Sequence, residues 1–177
     1  MKFIPTALEG AYIIDVEEIE DERGFFARSW CADEFRAQGL ASNLSQCSVS
    51  FNKKRGTLRG MHYQAEPHAE TKIVRCTAGS IYDVIVDMRL ESATFKQWLS
   101  VELSAENRRM IYVPVGFAHG FQSLIENTEV FYMVSKFYQP EFSLSVRWND
   151  PQFAIEWPHE EHRVISFRDR NCPDFFL

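Results

Sequence analysis

Long apolar runs are missing from this chain. No stretch reaches the roughly 18 residues needed to cross a bilayer as a helix, and the opening MKFIPTALEG carries neither the apolar core nor the cleavage site of a secretory leader. Cysteine is scarce: Cys31, Cys47, Cys76 and Cys172 make no C-x-x-C pair, and a chain of 177 residues has no need of disulfide staples. Free thiols in a reducing compartment, and so a cytoplasmic protein, are the expectation. Basic charge is also short. With 19 Lys and Arg against 25 Asp and Glu the net charge is −6, which argues against nucleic-acid binding. An anionic ligand would need a local cluster of Arg and Lys set against that global sign.

Other absences concern chemistry. There is no His-x-His, and a metal site in a small β-barrel usually uses two or three His with a carboxylate. His62, Glu70 and His119 would make a poor set, so no metal is expected. No G-x-S-x-G occurs and no cysteine has a base beside it in sequence, which disfavours nucleophilic hydrolysis. No repeat, low-complexity tract or linker interrupts residues 1–177, so one domain with one core is expected.

What is present is aromatic bulk and alternation. Phe occurs 15 times, enough to fill a barrel interior. In 81–88, Tyr82, Val84, Val86 and Met88 share one face and Asp83 and Asp87 the other. In 97–103, Leu99, Val101 and Leu103 alternate with Trp98, Ser100 and Glu102, and in 128–135 Val130, Tyr132 and Val134 share a face. This period of two predicts strands with unlike faces. Gly56, Gly60, Gly79, Pro114, Gly116 and Gly120 punctuate them. One helix is expected over about 31–38, capped by Ser29 and ended by Gly39. A short turn follows Ser104, and a short helix or turn is expected after Pro158. Many short strands with few helices predict an all-β sandwich or barrel. No helical pattern recurs between strands, which disfavours a parallel α/β sheet.

Two short motifs hold one His each: Arg59-Gly60-Met61-His62-Tyr63-Gln64, and Pro114 to Phe121 around His119. Leu58, Gly60, His62 and Gln64 are read on one strand face. A lone His beside a strand often serves only as a hydrogen-bonding group; its chemical reading is a general base, because imidazole titrates near neutrality. Asp169 is the candidate carboxylate to orient it. Tyr132 is a candidate phenolic acid. Lys72 is a candidate cation for a carbonyl oxygen that becomes an enolate. Arg23, Arg59 and Arg170 would bind a diphosphate if they converge. Phe26 and Tyr138 are candidates to stack on a base or sugar.

These residues sit in an ordered set of motifs. Asp21 to Phe26, Gly56 to Gln64, Lys72, Asp83 to Arg89, Leu103 to Asn107, Pro114 to Phe121, Trp148 to Pro151, Trp157-Pro158 and Ser166 to Asp169 resemble the dTDP-4-dehydrorhamnose 3,5-epimerases over about residues 3–174. The resemblance implies a cupin fold, which is a jelly-roll β-barrel, with no metal or organic cofactor. It implies a homodimer that exchanges N-terminal strands, so that Arg23 and Phe26 serve the neighbour's site. It implies a nucleotide-diphosphate 4-keto-6-deoxy sugar as substrate. It places the base on His62, its carboxylate on Asp169, the acid on Tyr132 and the enolate-holding cation on Lys72. Substrate contacts fall on Arg23, Phe26, Gln46, Arg59, His119, Tyr138 and Arg170.

The chain departs from the family pattern at two places. Arg28 stands where many dTDP enzymes carry a Glu that contacts thymine, and Gln46 to Asn52 differs from the usual Asn-His-Ser pattern. Both changes lie in the region that reads the base, so the nucleotide (dTDP, CDP or GDP) stays open, as does inversion of C3 alone or of both C3 and C5. A mono-epimerase, a 3,4-ketoisomerase and a catalytically silent sugar-nucleotide binder are the competing readings.

Overall fold

The computed structural model describes residues 1–176. Fourteen strands follow in chain order: β1 (Lys2–Pro5), β2 (Tyr12–Asp15), β3 (Glu18–Asp21), β4 (Gly24–Ala27), β5 (Gln46–Asn52), β6 (Thr57–Gln64), β7 (Lys72–Ala78), β8 (Ser80–Asp87), β9 (Trp98–Ser104), β10 (Met110–Val113), β11 (Phe117–Ser123), β12 (Thr128–Val134), β13 (Ser143–Ser145) and β14 (Val164–Ile165). Two short helices, α1 (Ala32–Ala37) and α2 (Phe167–Arg170), complete the set with a 3₁₀ turn at Pro140–Phe142. One sheet runs β1-β2-β10-β7-β12-β5 and the other β13-β6-β11-β8-β9, with β14 alongside β6. The sheets face each other as a cupin-like jelly roll. All pairings are antiparallel except β14 on β6.

The alternation read for β9 and β12 matches the interior, whereas in β8 the face with Asp83 and Asp87 turns inward and the face with Val84 and Val86 turns outward. Val74 and Cys76 of β7, Ile81 and Ile85 of β8, Val101 and Leu103 of β9 and Val130 of β12 meet between the sheets, with Tyr132 packed against them. The opposite face of β8 is covered as well. Val84 and Val86 pack under Val146, Phe153 and Ile155, which arrive from the segment after β13. The outer face of the first sheet is closed by α1, whose Phe35 is fully buried against Ile14, Ile73 and Met110. Burying such a ring is worth about 1.5–3 kcal/mol. Among the described residues no helix is long and apolar enough to cross a membrane.

Helix α1 lies within the expected span, but its N-cap is Cys31, with no side-chain cap, and not Ser29. The chain is still extended at Cys31, two residues past Ser29, and turns helical at Ala32. Gly39 ends the helix as expected, in the left-handed region at φ +72°, its N–H donating to the Arg36 carbonyl. At the expected turn, Asn107 Oδ1 accepts the Ser104 N–H and Ser104 Oγ accepts the Asn107 N–H. The expected C-terminal helix is α2, capped by Ser166, whose hydroxyl accepts the Asp169 N–H.

The β3–β4 hairpin pairs only with itself. Its residues are nearly all exposed, with Ile19 and Phe26 each 70% exposed.

Candidate active site

Strand β6 is irregular where it matters. Its pairing with β11 matches His119 to His62 but Phe121 to Arg59, so β6 carries one extra residue between them. Such a bulge flips the side-chain parity of the strand. Strict alternation would set Arg59 opposite His62; instead both line one cavity. Gly60 makes the bulge feasible. It sits at φ +131°, and a Cβ there would lie 2.6 Å from the Gly120 Cα. The glycines of the two His motifs therefore press backbone against backbone.

The cavity, of about 670 Å³, opens between the two sheets. Arg59, His62 and His119 come from the sheet containing β6 and β11, and Gln46, Lys72 and Tyr132 from the sheet containing β5, β7 and β12. Tyr138 stands at the exposed rim, and its N–H donates to Gln46 Oε1 at 3.1 Å. His62 and Tyr132 thus occupy facing walls of one hollow. Among the lining residues Arg59, Lys72, Lys136 and Arg168 outnumber Glu70 and Asp169, which makes a locally cationic pocket in an acidic chain.

Each reactive group is held from behind. His62 Nε2 and Asp169 Oδ1 are 2.7 Å apart, and Asp169 Oδ2 accepts the Gly60 N–H at 3.3 Å. Burial opposes charge on Asp169, but the hydrogen bonds from His62, Gly60 and Ser166 outweigh it and hold the carboxyl below its usual range. An ionised carboxylate only accepts, so the imidazole proton sits on Nε2 and the Nδ1 lone pair is free. Burial drives the Tyr132 phenol far above its ordinary range, and the Asp83 carboxylate pushes in the same direction. The Tyr132 ring meets His119 edge-on, with centroids 6.0 Å apart. His119 is buried, its Nε2 2.7 Å from Asp83 Oδ2. Asp83 is fully enclosed, so burial raises its pKa, opposed by His119 and Lys72. Lys72 Nζ donates to the His62 carbonyl at 3.0 Å and pairs with Glu70 at 3.3 Å. Arg59 Nε donates to Asn52 Oδ1 at 2.8 Å. Among the described residues no three His, Cys, Asp or Glu side chains are grouped to hold a metal ion.

Three expected contacts lie elsewhere. Arg23, in the hairpin turn, is paired with Asp21 and outside the cavity. Phe26 lines a separate small hollow with Met1, Glu17 and Arg28. Neither reaches the pocket of its own chain, because the hairpin stands off both sheets. Arg28 is engaged by Glu34 at 2.9 Å. Arg170 is exposed and not in the cavity wall, whereas Arg168 is, its Nη2 donating to Ser143 Oγ at 3.1 Å. A helical turn sets Arg168 and Arg170 about 100° to either side of the inward-facing Asp169, and Arg168 is the one on the side of the cavity. Lys136 was also missed; its place three residues past β12's Met133, between Tyr132 and Tyr138, was the available signal.

Comparison with known proteins identifies the family. The family model for dTDP-4-dehydrorhamnose 3,5-epimerase matches residues 5–176. The dTDP-4-dehydrorhamnose 3,5-epimerase of Salmonella typhimurium is 41% identical over 174 residues, 98% of this chain and 94% of that protein. The crystal structure of the Elizabethkingia anophelis enzyme of the same name superposes with a TM-score of 0.96 at 40% identity, covering 99% of this chain and 96% of that one. A dTDP-6-deoxy-D-glucose-3,5-epimerase from Legionella pneumophila, solved in complex with dTDP-4-keto-L-rhamnose, gives a TM-score of 0.89 at 39% identity over 95% of this chain and 89% of that one. The chain belongs to the dTDP-4-dehydrorhamnose 3,5-epimerase family.

Proposed function

We propose that this protein is an isomerase that inverts C3 and C5 of dTDP-4-dehydro-6-deoxy-D-glucose, giving dTDP-4-dehydro-L-rhamnose. The observation that carries the reading is the placement of an Asp169-held imidazole and a buried phenol on facing walls of one cationic cavity. The C4 carbonyl acidifies the hydrogens on both neighbouring carbons. His62 Nδ1 takes the proton from C3, and the C–H electron pair moves onto the C4 oxygen as an enolate. Lys72 stabilises that oxygen by charge and hydrogen bonding. Tyr132 returns a proton to C3 from the opposite face, and the phenolate and imidazolium then exchange protons with solvent. The same cycle follows at C5. Arg59, Lys136 and Arg168 suit the diphosphate, and Gln46, Tyr138 and His119 suit the remainder of the ligand.

Incubation in deuterium oxide with the 4-keto-6-deoxy sugar on dTDP, CDP and GDP tests this. Deuterium at both C3 and C5, fastest on dTDP, is the expected result. Label at C3 alone would make the protein a mono-epimerase, and no label on any nucleotide would overturn the enzyme reading.

Arg23 and Phe26 are assigned to a neighbour's pocket in a homodimer that exchanges the β3–β4 hairpin. The detached hairpin and its bare Ile19 and Phe26 support this, since solvent exposure of such side chains is costly unless covered. Mixing a His62→Ala chain with an Arg23→Ala chain, each nearly inactive, is expected to restore turnover after unfolding and refolding together. Failure of the mixture to exceed the sum of its parts counts against the exchange. A cytoplasmic location is in keeping with four free thiols.

A further inference from the structure

Beneath the cavity runs a polar chain that the proposed reaction does not yet use. Lys72 has three N–H directions. One goes to the His62 carbonyl at 3.0 Å and one to Glu70 Oε1 at 3.3 Å. That leaves one for the cavity that Lys72 lines. The pair is well enclosed, with the Lys72 side chain 12% and the Glu70 side chain 7% exposed. Glu70 is itself braced. Gln64 Nε2 donates to Glu70 Oε2 and, at 2.9 Å, to the His68 carbonyl. Gln64 Oε1 accepts the Gln139 N–H at 2.6 Å. Every polar atom of the Gln64 amide is therefore engaged, and its orientation is set with the amide nitrogen toward Glu70.

We propose that Glu70, braced by Gln64, is the positioning residue for Lys72: it directs one N–H into the cavity and keeps the ammonium charged where enolate oxygen develops. This rests on the epimerase reading for what the cation does, but not for where it points. Enclosure alone disfavours charge on an amine. Burial lowers the Lys72 pKa, Glu70 acts against it, and the Asp83 carboxylate on β8 adds to Glu70. Lys72 also meets the His62 carbonyl of β6, and the cavity it lines carries Arg59 from β6, His119 from β11 and Tyr132 from β12. Asp83 is held by His119 through Oδ2, and its Oδ1 meets no donor, so Glu70 is the carboxylate that pairs directly with Lys72. The same brace ties Lys72 to the 136–139 segment at the cavity mouth, through Gln139.

The sign follows. Lys72 is active while protonated, so its activity limb lies on the alkaline side. Converting the carboxylate to an amide lowers the pKa at which the ammonium is lost. In Glu70→Gln the alkaline limb of the kcat profile is expected to move toward acid by about 1–3 pH units, the usual effect of one close opposite charge. KM should change little, and turnover at low pH should survive. Glu70→Asp, which keeps the charge, is expected to recover part of the shift. A merely structural Glu70 would lower kcat equally at all pH values.

A second measurement needs no turnover. The Lys72 ammonium is titrated through its Cε carbon resonance in the ligand-free protein. The expected result is a cation through neutrality in the unaltered chain and a lower pKa in Glu70→Gln. Lys72 already neutral at pH 7 in the unaltered chain, or titrating identically in both proteins, would overturn the proposal. Absence of any hydrogen exchange by the unaltered enzyme would instead defeat the epimerase reading, and the titration would still decide the role of Glu70.

Discussion

Replacing His62 with alanine is expected to stop solvent hydrogen from entering the keto sugar at C3 and at C5 together. A single imidazole serves both carbons in the proposed cycle, so the two labels should vanish in parallel. Removing a positioned general base costs on the order of 10²–10⁴-fold in rate. Binding should suffer far less, because the cations Arg59, Lys136 and Arg168 that suit the diphosphate remain in the cavity wall. The measurement is deuterium incorporation by NMR beside a titration with dTDP. Incorporation that persists at either carbon would show that another base acts there, with His119 the nearest imidazole in the same cavity.

The carboxylate behind His62 makes a companion case. Asp169→Asn offers an amide that can donate to the ring and favour the wrong tautomer, a change that costs up to about 10⁴-fold where a triad carboxylate is so altered. The fold should register it too. The Asp169 carboxyl is held below its unfolded value of about 3.9. Its contribution to stability is therefore present above that pH and is lost as the pH falls toward the folded value. The variant should lose stability at neutral pH and show a weaker decline in acid.

Particular residues show how far the sequence could be read. Val130 and Tyr132, or Leu99, Val101 and Leu103, were placed by alternation because their strands are regular and one face meets the interior. Asp83 was read on the polar side of its strand, yet both faces of β8 are covered and Asp83 is fully enclosed beside His119. Asp83 shares the inward face of β8 with Ile81 and Ile85, while the face that reads as apolar, with Val84 and Val86, turns outward under residues 146–155, a segment without regular pattern. Arg59 and His62 share a wall only through the bulge at Gly60, and a period of two cannot express an extra residue. The partnership of His62 with Asp169 spans 107 positions; motif order pointed to it, but only the return of β14 along β6 brings α2 beneath the imidazole. Glu70 and Gln64 were legible as residues of ordinary polar type. Their joint grip on Lys72 depends on the loop at 136–139, which no local pattern forecasts.

Tyr132→Phe is expected to separate proton removal from inversion. The phenol is held neutral by burial and by Asp83, so across the working pH range it acts as a proton donor and contributes no charge. Phenylalanine keeps the ring, its edge-on contact with His119 and the packing against the strand interior. What it removes is one hydroxyl that matters when the enolate collapses. Loss of an interaction made in the transition state lowers kcat and kcat/KM together and leaves KM near its original value. The loss should be about 10²–10⁴-fold, the span for a single general acid. His62 and Lys72 remain, so the C3 hydrogen should still leave. With no donor on the far wall, the enolate can recover a proton only from the side it lost one. Deuterium should therefore enter at C3 with retained configuration, and product should fail to form. This outcome is peculiar to a two-walled site. A site in which the phenol alone took and returned the proton would lose exchange and inversion in equal measure, whereas exchange and inversion both unchanged in Tyr132→Phe would remove the phenol from the mechanism.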